Sequence, residues 1–390
     1  MATEVTREEF TALEREVAGE KPVTRHEMRR FLVKHLLAFL VTASAVAMSC
    51  ASASARPFTD PRSERSDAID QAAALEPRDP ACHARTLVAA GGAFPRNPHT
   101  LAVRWIGFSN FELVYNGRII LLDAYYDRGS QYPPLGVAAA DIKTADLILM
   151  GHGHFDHMAD AALIGARTKA LLVGAAVTTD KLRTQPIPVQ QIKTVSGRGG
   201  EIMKFDNFTV EPILGRHGEP AKEVTEVMDR TLNELMPAPT AEQKAAASAI
   251  RSRGTNSPRI IDEGTIVYLI TLDDGFRILY RDSGGLVTDY ERAAMARVGR
   301  VDLALIAVSG DYLNPLMVRL ALEHARTYKP GVIMPAHHDA PITAGHVAQW
   351  RATEPLFQAM KDENPDIVTV SKQYREPVCF NTEMNIQRGY

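Results

Sequence analysis

Four side chains able to bind a metal ion fall within one short stretch, His152-Gly-His154-Phe-Asp156-His157, directly after the apolar run "LILM". In extended chain, side chains two apart point the same way. His152 and His154 can therefore share one ion. If the chain then turns into a helix, Asp156 and His157 can face a second site beside the first. Neutral imidazoles and a carboxylate suit zinc, and manganese or iron are also acceptable to such a set. Gly153 lets the backbone pass close to the ions, and Phe155 either covers the site or packs beneath it. The alternative is four polar residues gathered by chance, which the spacing argues against.

Two ions need more ligands. Candidates stand at the ends of other strand-like runs: His217 after "FTVEPILGR", Asp282 after "FRILYR", and His337 and His338 after "GVIMPA". A Gly pair, Gly284 and Gly285, follows Asp282 and frees the backbone there. A lone histidine such as His217 is more often structural; it counts here because it follows a strand, as the other candidates do. His83, His99, His324 and His346 lack that context.

The elements that must position these residues are legible from hydrophobic periodicity. "LAVRWIG" reads as a strand. "FELVY" and "RIILL" flank Asn116-Gly117, a strong hairpin signal, and the second run ends at Asp123. "ADLILM" and "ALLVGA" are continuous apolar runs, as expected for strands buried on both faces. The second half repeats this grammar. "TIVYLITL" and "FRILYR" flank an Asp-Gly turn and end at Asp282, and "VDLALIAV" echoes "ADLILM". A helix capped by Asn314, with Pro315 in its first turn and Pro330 beyond its end, leads to "GVIMPA". Two such halves predict two sheets packed face to face with helices outside.

An insertion of about residues 218–262 separates the halves. "EVTEVMDRTLNELM" has helical spacing, and reads as a helix packed on the core or as a substrate lid. Thr240 to Gln243 fits a capping box for a second helix.

The H-x-H-x-D-H motif, a later His, a later Asp after a strand and a final P-x-H resemble the metallo-β-lactamase fold hydrolases, over about residues 101–370. "WIGFSNFELVYNGRIILLDAYYD" and "VIMPAHH" are most similar to the branch of ascorbate-phosphate lactonases and N-acyl phosphatidylethanolamine phospholipases. The resemblance implies an α/β fold, a four-layer αββα sandwich, carrying two divalent metal ions, Zn2+ before Mn2+ or Fe2+. By the family pattern His152, His154 and His217 hold the first ion, Asp156, His157 and His337 hold the second, and Asp282 bridges them. Asp123 matches a position that orients a histidine ligand. The family's usual G-D-T-G reads "RDSGG" here, and its P-x-H-Y reads "PAHHD". Of the final pair, His337 is the expected ligand. The implied activity is hydrolysis of an ester, lactone or phosphodiester by metal-activated water. Asp156 would also orient the nucleophile. His338 would donate a hydrogen bond to substrate, or else be structural. The rival readings are a single-iron dioxygenase on the same fold and a non-catalytic binding protein. A true β-lactamase fits less well, because many place a cysteine at a metal site and neither Cys82 nor Cys379 lies near the motif.

The chain has 390 residues, a net charge of −3 and 45% hydrophobic residues, enough for a sizeable core. With no basic block in its body, nucleic acid is not the expected partner. The expected substrate is a small or lipid-like molecule. Residues 1–55 read as a leader for export to the periplasm. "RRFLVK" at 29–34 resembles a twin-arginine signal, an apolar stretch follows at 36–49, and "ASASA" offers a cleavage site. Met28 is an alternative start. An uncleaved membrane anchor through 36–49 is the alternative fate, and a lipoprotein at Cys50 fits less well. Residues 56–99 read as a linker with short helices, and 100–390 as the hydrolase domain. Cys82 and Cys379 lie near opposite ends of the mature chain. In an oxidising compartment they can form one disulfide, or they can remain two free thiols.

Overall fold

The computed structural model describes residues 79–129, 132–219, 238–308, 315–339 and 349–383. The expected export signal, the helix expected at 223–236 and the cap Asn314 lie outside the described residues.

Two seven-stranded mixed sheets form the body. The first has the order β14-β1-β2-β3-β4-β5-β6 and the second β13-β12-β11-β10-β9-β8-β7. The strands are β1 (Thr100–Gly107), β2 (Asn110–Tyr115), β3 (Arg118–Leu122), β4 (Leu147–Leu149), β5 (Leu171–Gly174), β6 (Ile192–Thr194), β7 (Met203–Lys204), β8 (Phe208–Leu214), β9 (Ile266–Leu272), β10 (Arg277–Arg281), β11 (Leu303–Ala307), β12 (Val332–Ala336), β13 (Val368–Thr369) and β14 (Pro377–Asn381).

Both hairpins form where the sequence places them. β2 and β3 pair antiparallel up to Tyr115 and Arg118. Asn116 and Gly117 both take positive φ, 43° and 75°, as a two-residue hairpin matched to the strand twist requires. β9 and β10 form the second hairpin. β3, β4 and β5 run parallel, as do β10, β11 and β12, so each half follows the expected grammar.

Alternation along the strands explains the layers. Leu101, Val103 and Trp105 of β1 meet Tyr268, Ile270 and Leu272 of β9 in the core between the sheets. Ala102 and Ile106 point the other way, into a second core on the outside of the first sheet, with Ile148, Met158 and Ile164. Leu269, Ala304 and Ile306 do the same on the outside of the second sheet. Helices of both halves cover these outer faces. α1 (Phe155–Met158), α2 (Ala161–Thr168) and α3 (Ala176–Leu182) belong to the first half. α4 (Ala241–Arg251) and α5 (Ile260–Glu263) form the described part of the insertion. α6 (Asp289–Val298), α7 (Pro315–Tyr328) and α8 (Gln349–Glu363) belong to the second half. The result is the expected four-layer αββα sandwich. α4 carries the predicted capping box: Gln243 N–H donates to Thr240 Oγ1 and Thr240 N–H to Gln243 Oε1.

Residues 79–99 are the described part of the segment expected as a linker with short helices. They contain short 3-10 turns at 80–82 and 88–90, but they are packed rather than linking. Leu87, Val88 and Ala89 are buried in the core outside the first sheet. The buried pair Arg104–Glu112 holds this segment: Arg104 donates to the Ala81 and Ala84 carbonyls, and Glu112 accepts from Ala89 N–H at 2.8 Å. Cys82 and Cys379 form a disulfide with their Cα atoms 5.7 Å apart. It fastens the segment to β14, an edge strand beside β1.

Candidate metal centre

Strand ends deliver the candidate residues to one place. β4 stops at Leu149. His152 follows in a turn, and His154 holds an extended backbone at the N-cap of α1. The first turn of α1 then supplies Asp156 and His157. β8 leads to His217, β10 to Asp282 and β12 to His337. Gly151 is needed for this convergence, because a Cβ there would overlap the Asp282 carboxylate.

Three groups of donor atoms result, each with its atoms within 4.8 Å of one another: His152, His154 and His217; His152, His157 and Asp282; and Asp156, His157 and His337. Asp282 Oδ2 lies 2.6 Å from His152 Nδ1 and 3.2 Å from His157 Nδ1. His152 Nε2 faces His154 Nδ1 at 2.9 Å, and the His217 ring lies against both. Asp156 Oδ2 lies 3.3 Å from His337 Nε2. The seven residues expected as ligands are thus brought together.

Asp123 stands behind them. Its Oδ2 is 2.6 Å from His157 Nδ1, and its Oδ1 accepts from Gly151 N–H at 2.9 Å. With Nδ1 turned to Asp123, His157 keeps Nε2 for the side where Asp156 lies.

His338 is not brought into the cluster. Its ring is buried and stacks on Trp105, with centroids 4.1 Å apart. That is packing rather than presentation to a substrate. Phe155 packs edge-on to Tyr125 in a small aromatic cluster with Phe108 and Tyr132.

Burial and neighbouring charges shift several of these groups. Burial keeps the His154 imidazole neutral, pulling its pKa down to about 3, with neighbouring His152 adding to the effect. Burial acts likewise on His217, pulling it to about 2. Both therefore offer free lone pairs near neutrality, the form a metal requires. Burial alone would raise Asp282 and Asp156. The His152 and His157 rings hold Asp282 well below the usual carboxylate range, and His157 and His337 do the same for Asp156. Burial opposes a charge on His157, but Asp123, Asp156 and Asp282 outweigh it and raise its pKa well above normal. Three carboxylates around these rings call for positive charge.

One atom sharpens that demand. Asp282 is 1% exposed, and its Oδ1 has no hydrogen-bond partner among the described residues. Leaving such an acceptor unsatisfied costs free energy. A divalent cation at the three donor groups would satisfy it, so the residues present fit a metal.

Several supporting residues escaped the sequence reading. Ser109 Oγ lies 2.6 Å from Asp123 Oδ2 and 2.8 Å from His157 Nδ1. Asp339 accepts from Phe108 N–H at 2.8 Å and from Arg128 at 2.5 Å, while Phe108 O accepts from His337 N–H at 2.7 Å. Phe108, Asp123 and His337 all take left-handed φ, of 46°, 55° and 58°. Such backbone costs about 1–3 kcal/mol per residue and gathers at functional sites. Only the turn-forming composition of "GFSN" hinted at any of this. The insertion also touches the centre: Thr255 N–H donates to Gly153 O at 2.7 Å and His217 N–H to Ile261 O at 3.0 Å.

Residues 102–337 match the family described as the beta-lactamase superfamily domain. The chain belongs to that superfamily. Its relatives include a UPF0173 metal-dependent hydrolase of Polynucleobacter asymbioticus, 24% identical over 273 residues, which are 69% of this chain and 83% of the relative. Another, from Carboxydothermus hydrogenoformans, is 23% identical over 277 residues, 69% of this chain and all of the relative. Among solved structures it is similar to Igni18, a metallo hydrolase from Ignicoccus hospitalis, with 15% identity, a TM-score of 0.48 and coverage of 72% of this chain and 98% of that one. It is also similar to CmlA, a diiron β-hydroxylase from Streptomyces venezuelae, with 13% identity, a TM-score of 0.42 and coverage of 73% and 54%. The family match gives this beta-lactamase superfamily member the metallo-β-lactamase fold, and the curated relatives that it resembles are metal-dependent hydrolases.

Proposed function

We propose that the chain hydrolyses an ester, lactone or phosphodiester at a centre of two divalent metal ions, with zinc the best match to its donors. The observation that carries this reading is the orphaned Asp282 Oδ1, buried where the three donor groups meet. In the proposed assignment His152, His154 and His217 would hold one ion, Asp156, His157 and His337 would hold the other, and Asp282 would serve both. When bound, such ions activate water near neutral pH and polarise the bond to be cleaved.

The chain's own residues set up that chemistry. His154 and His217 are held neutral by burial and need shed no proton to bind. Asp123 and Ser109 fix the His157 ring so that Nε2 points inward. Asp156, whose side chain is 18% exposed, can orient the attacking water as well as bind. His337 is fixed by its backbone bond to Phe108. The substrate in this reading is a small or lipid-like molecule. The enzyme is exported to the periplasm through the twin-arginine signal at Arg29 and Arg30.

The test is a substrate panel. Purified protein is stripped with a chelator, reloaded with Zn2+, and assayed against lactones, phosphodiesters and N-acyl phospholipids. Hydrolysis of at least one class, lost on stripping and restored by metal, is expected. Full activity in stripped protein, or oxygen consumption with iron in place of hydrolysis with zinc, would overturn the reading.

A further inference from the structure

Two of the proposed metal ligands, His217 and Asp282, stand beside a buried guanidinium that none of the chemistry above uses. Arg281, the last residue of β10, is fully buried next to Asp282. Its Nε donates to Ser283 O at 2.9 Å. Its Nη2 donates to Gly285 O at 2.7 Å and lies 3.2 Å from both Leu286 O and Arg216 O. Its Nη1 meets the Glu291 carboxylate and the Tyr328 hydroxyl. All three nitrogens are engaged, and the carbonyls they reach belong to two loops. One follows Asp282. The other contains Arg216, the residue before His217.

The two loops also touch directly. Gly218 N–H donates to Ser283 Oγ at 2.9 Å. A Cβ on Gly285 would overlap the Arg216 carbonyl. His324 Nε2 meets the Gly285 carbonyl at 2.8 Å from the other side. Glu291 belongs to α6, where it also accepts from Thr288 N–H at 2.7 Å. One ion pair therefore links the helix layer to both loops.

We propose that Arg281 is a positioning residue, which sets the separation of His217 from Asp282 by clamping the carbonyls of both loops with one planar fork. A lysine could keep the charge opposite Glu291. Its one ammonium cannot stand at the Nε, Nη1 and Nη2 positions together, so the bonds to Ser283 O, to Glu291 and to the Gly285 and Arg216 carbonyls cannot all be kept. The proposal rests on the reading of His217 and Asp282 as metal ligands.

Arg104 provides a matched control. It is an equally buried arginine paired with a buried glutamate, and it donates to backbone carbonyls far from the metal ligands in sequence, at Ala81 and Ala84. The experiment titrates metal-free protein with Zn2+ alone against a chromogenic chelator, and measures kcat and KM on the substrate the panel identifies. Arg281→Lys should lower Zn2+ affinity by about 10–100-fold, the usual effect of disturbing a residue that supports ligands. It should lower kcat while leaving KM unchanged. Arg104→Lys should lower the melting temperature and leave Zn2+ affinity and kcat as in wild type. Wild-type affinity and kcat in Arg281→Lys would overturn the proposal, as would equal losses in both variants. If circular dichroism shows that Arg281→Lys does not fold, Gly285→Ala decides, since it pushes the same loops apart and should weaken Zn2+ in the same way; unchanged affinity there overturns the proposal. Wild-type protein that takes up no Zn2+ would overturn the metal reading as well, which separates the two failures.

Discussion

Asp123 and His157 meet at 2.6 Å, Oδ2 to Nδ1, with Ser109 Oγ touching both. The carboxylate is fully buried and receives Gly151 N–H on its other oxygen. It therefore fixes both the ring that carries one proposed ligand and the turn that precedes the others. Asp123→Asn keeps the size and loses the charge. Metal affinity should fall by about 10–100-fold, read by Zn2+ competition. An unchanged affinity would show that Asp123 is only a folding residue.

The final histidine pair separates by position. His337 lies 3.3 Å from Asp156, whereas His338 is stacked on Trp105. His337→Ala should lose mainly one metal per chain, measured by inductively coupled plasma analysis. His338→Ala should keep both and lose stability, because it removes a buried ring and leaves a cavity beside Trp105; the cost should be about 2–4 kcal/mol, seen as a lower melting temperature. The reverse pattern would mean that the wrong histidine is assigned.

How far the site was legible follows from which residues carry it. The ligands stand at strand ends or in the turns just after them, and strand ends are visible from apolar periodicity and turn residues. Their chemistry shows as residue type. The supporting residues do not announce themselves in that way. Ser109 and Asp339 are ordinary polar residues in loops, and they act only because the fold returns them to Asp123 and Phe108. Arg281 ends the run that leads to Asp282, and no residue near it in sequence marks it as fully buried. Residues 79–99 read as a linker with short helices because two contacts that hold them come from far along the chain: a disulfide to Cys379 and an ion pair on the neighbouring strands.

The Cys82–Cys379 disulfide closes a loop with a sequence separation of 297. Cys82→Ser should lower stability by about 2–5 kcal/mol, measured by denaturant unfolding under non-reducing conditions. Metal content should be unchanged, because the bond lies in the N-terminal segment and edge strand. Equal stability with and without reductant would argue against a structural role.

Export is expected to depend on Arg29 and Arg30. Replacing both with lysine should hold the precursor in the cytoplasm, as fractionation would show. Normal export of the variant would remove the twin-arginine route, and an intact N-terminus on exported protein would remove cleavage near Ala55.

The central claim is that Asp282 bridges two ions. Its Oδ2 is 2.6 Å from His152 while its Oδ1 has no partner among the described residues. Counting metal in Asp282→Ala by inductively coupled plasma analysis, beside wild type loaded with Zn2+ in the same way, tests that claim most directly. Wild type should hold two ions per chain. The variant should fall to one or none and lose hydrolysis by orders of magnitude. Two full equivalents of metal in Asp282→Ala would contradict the account.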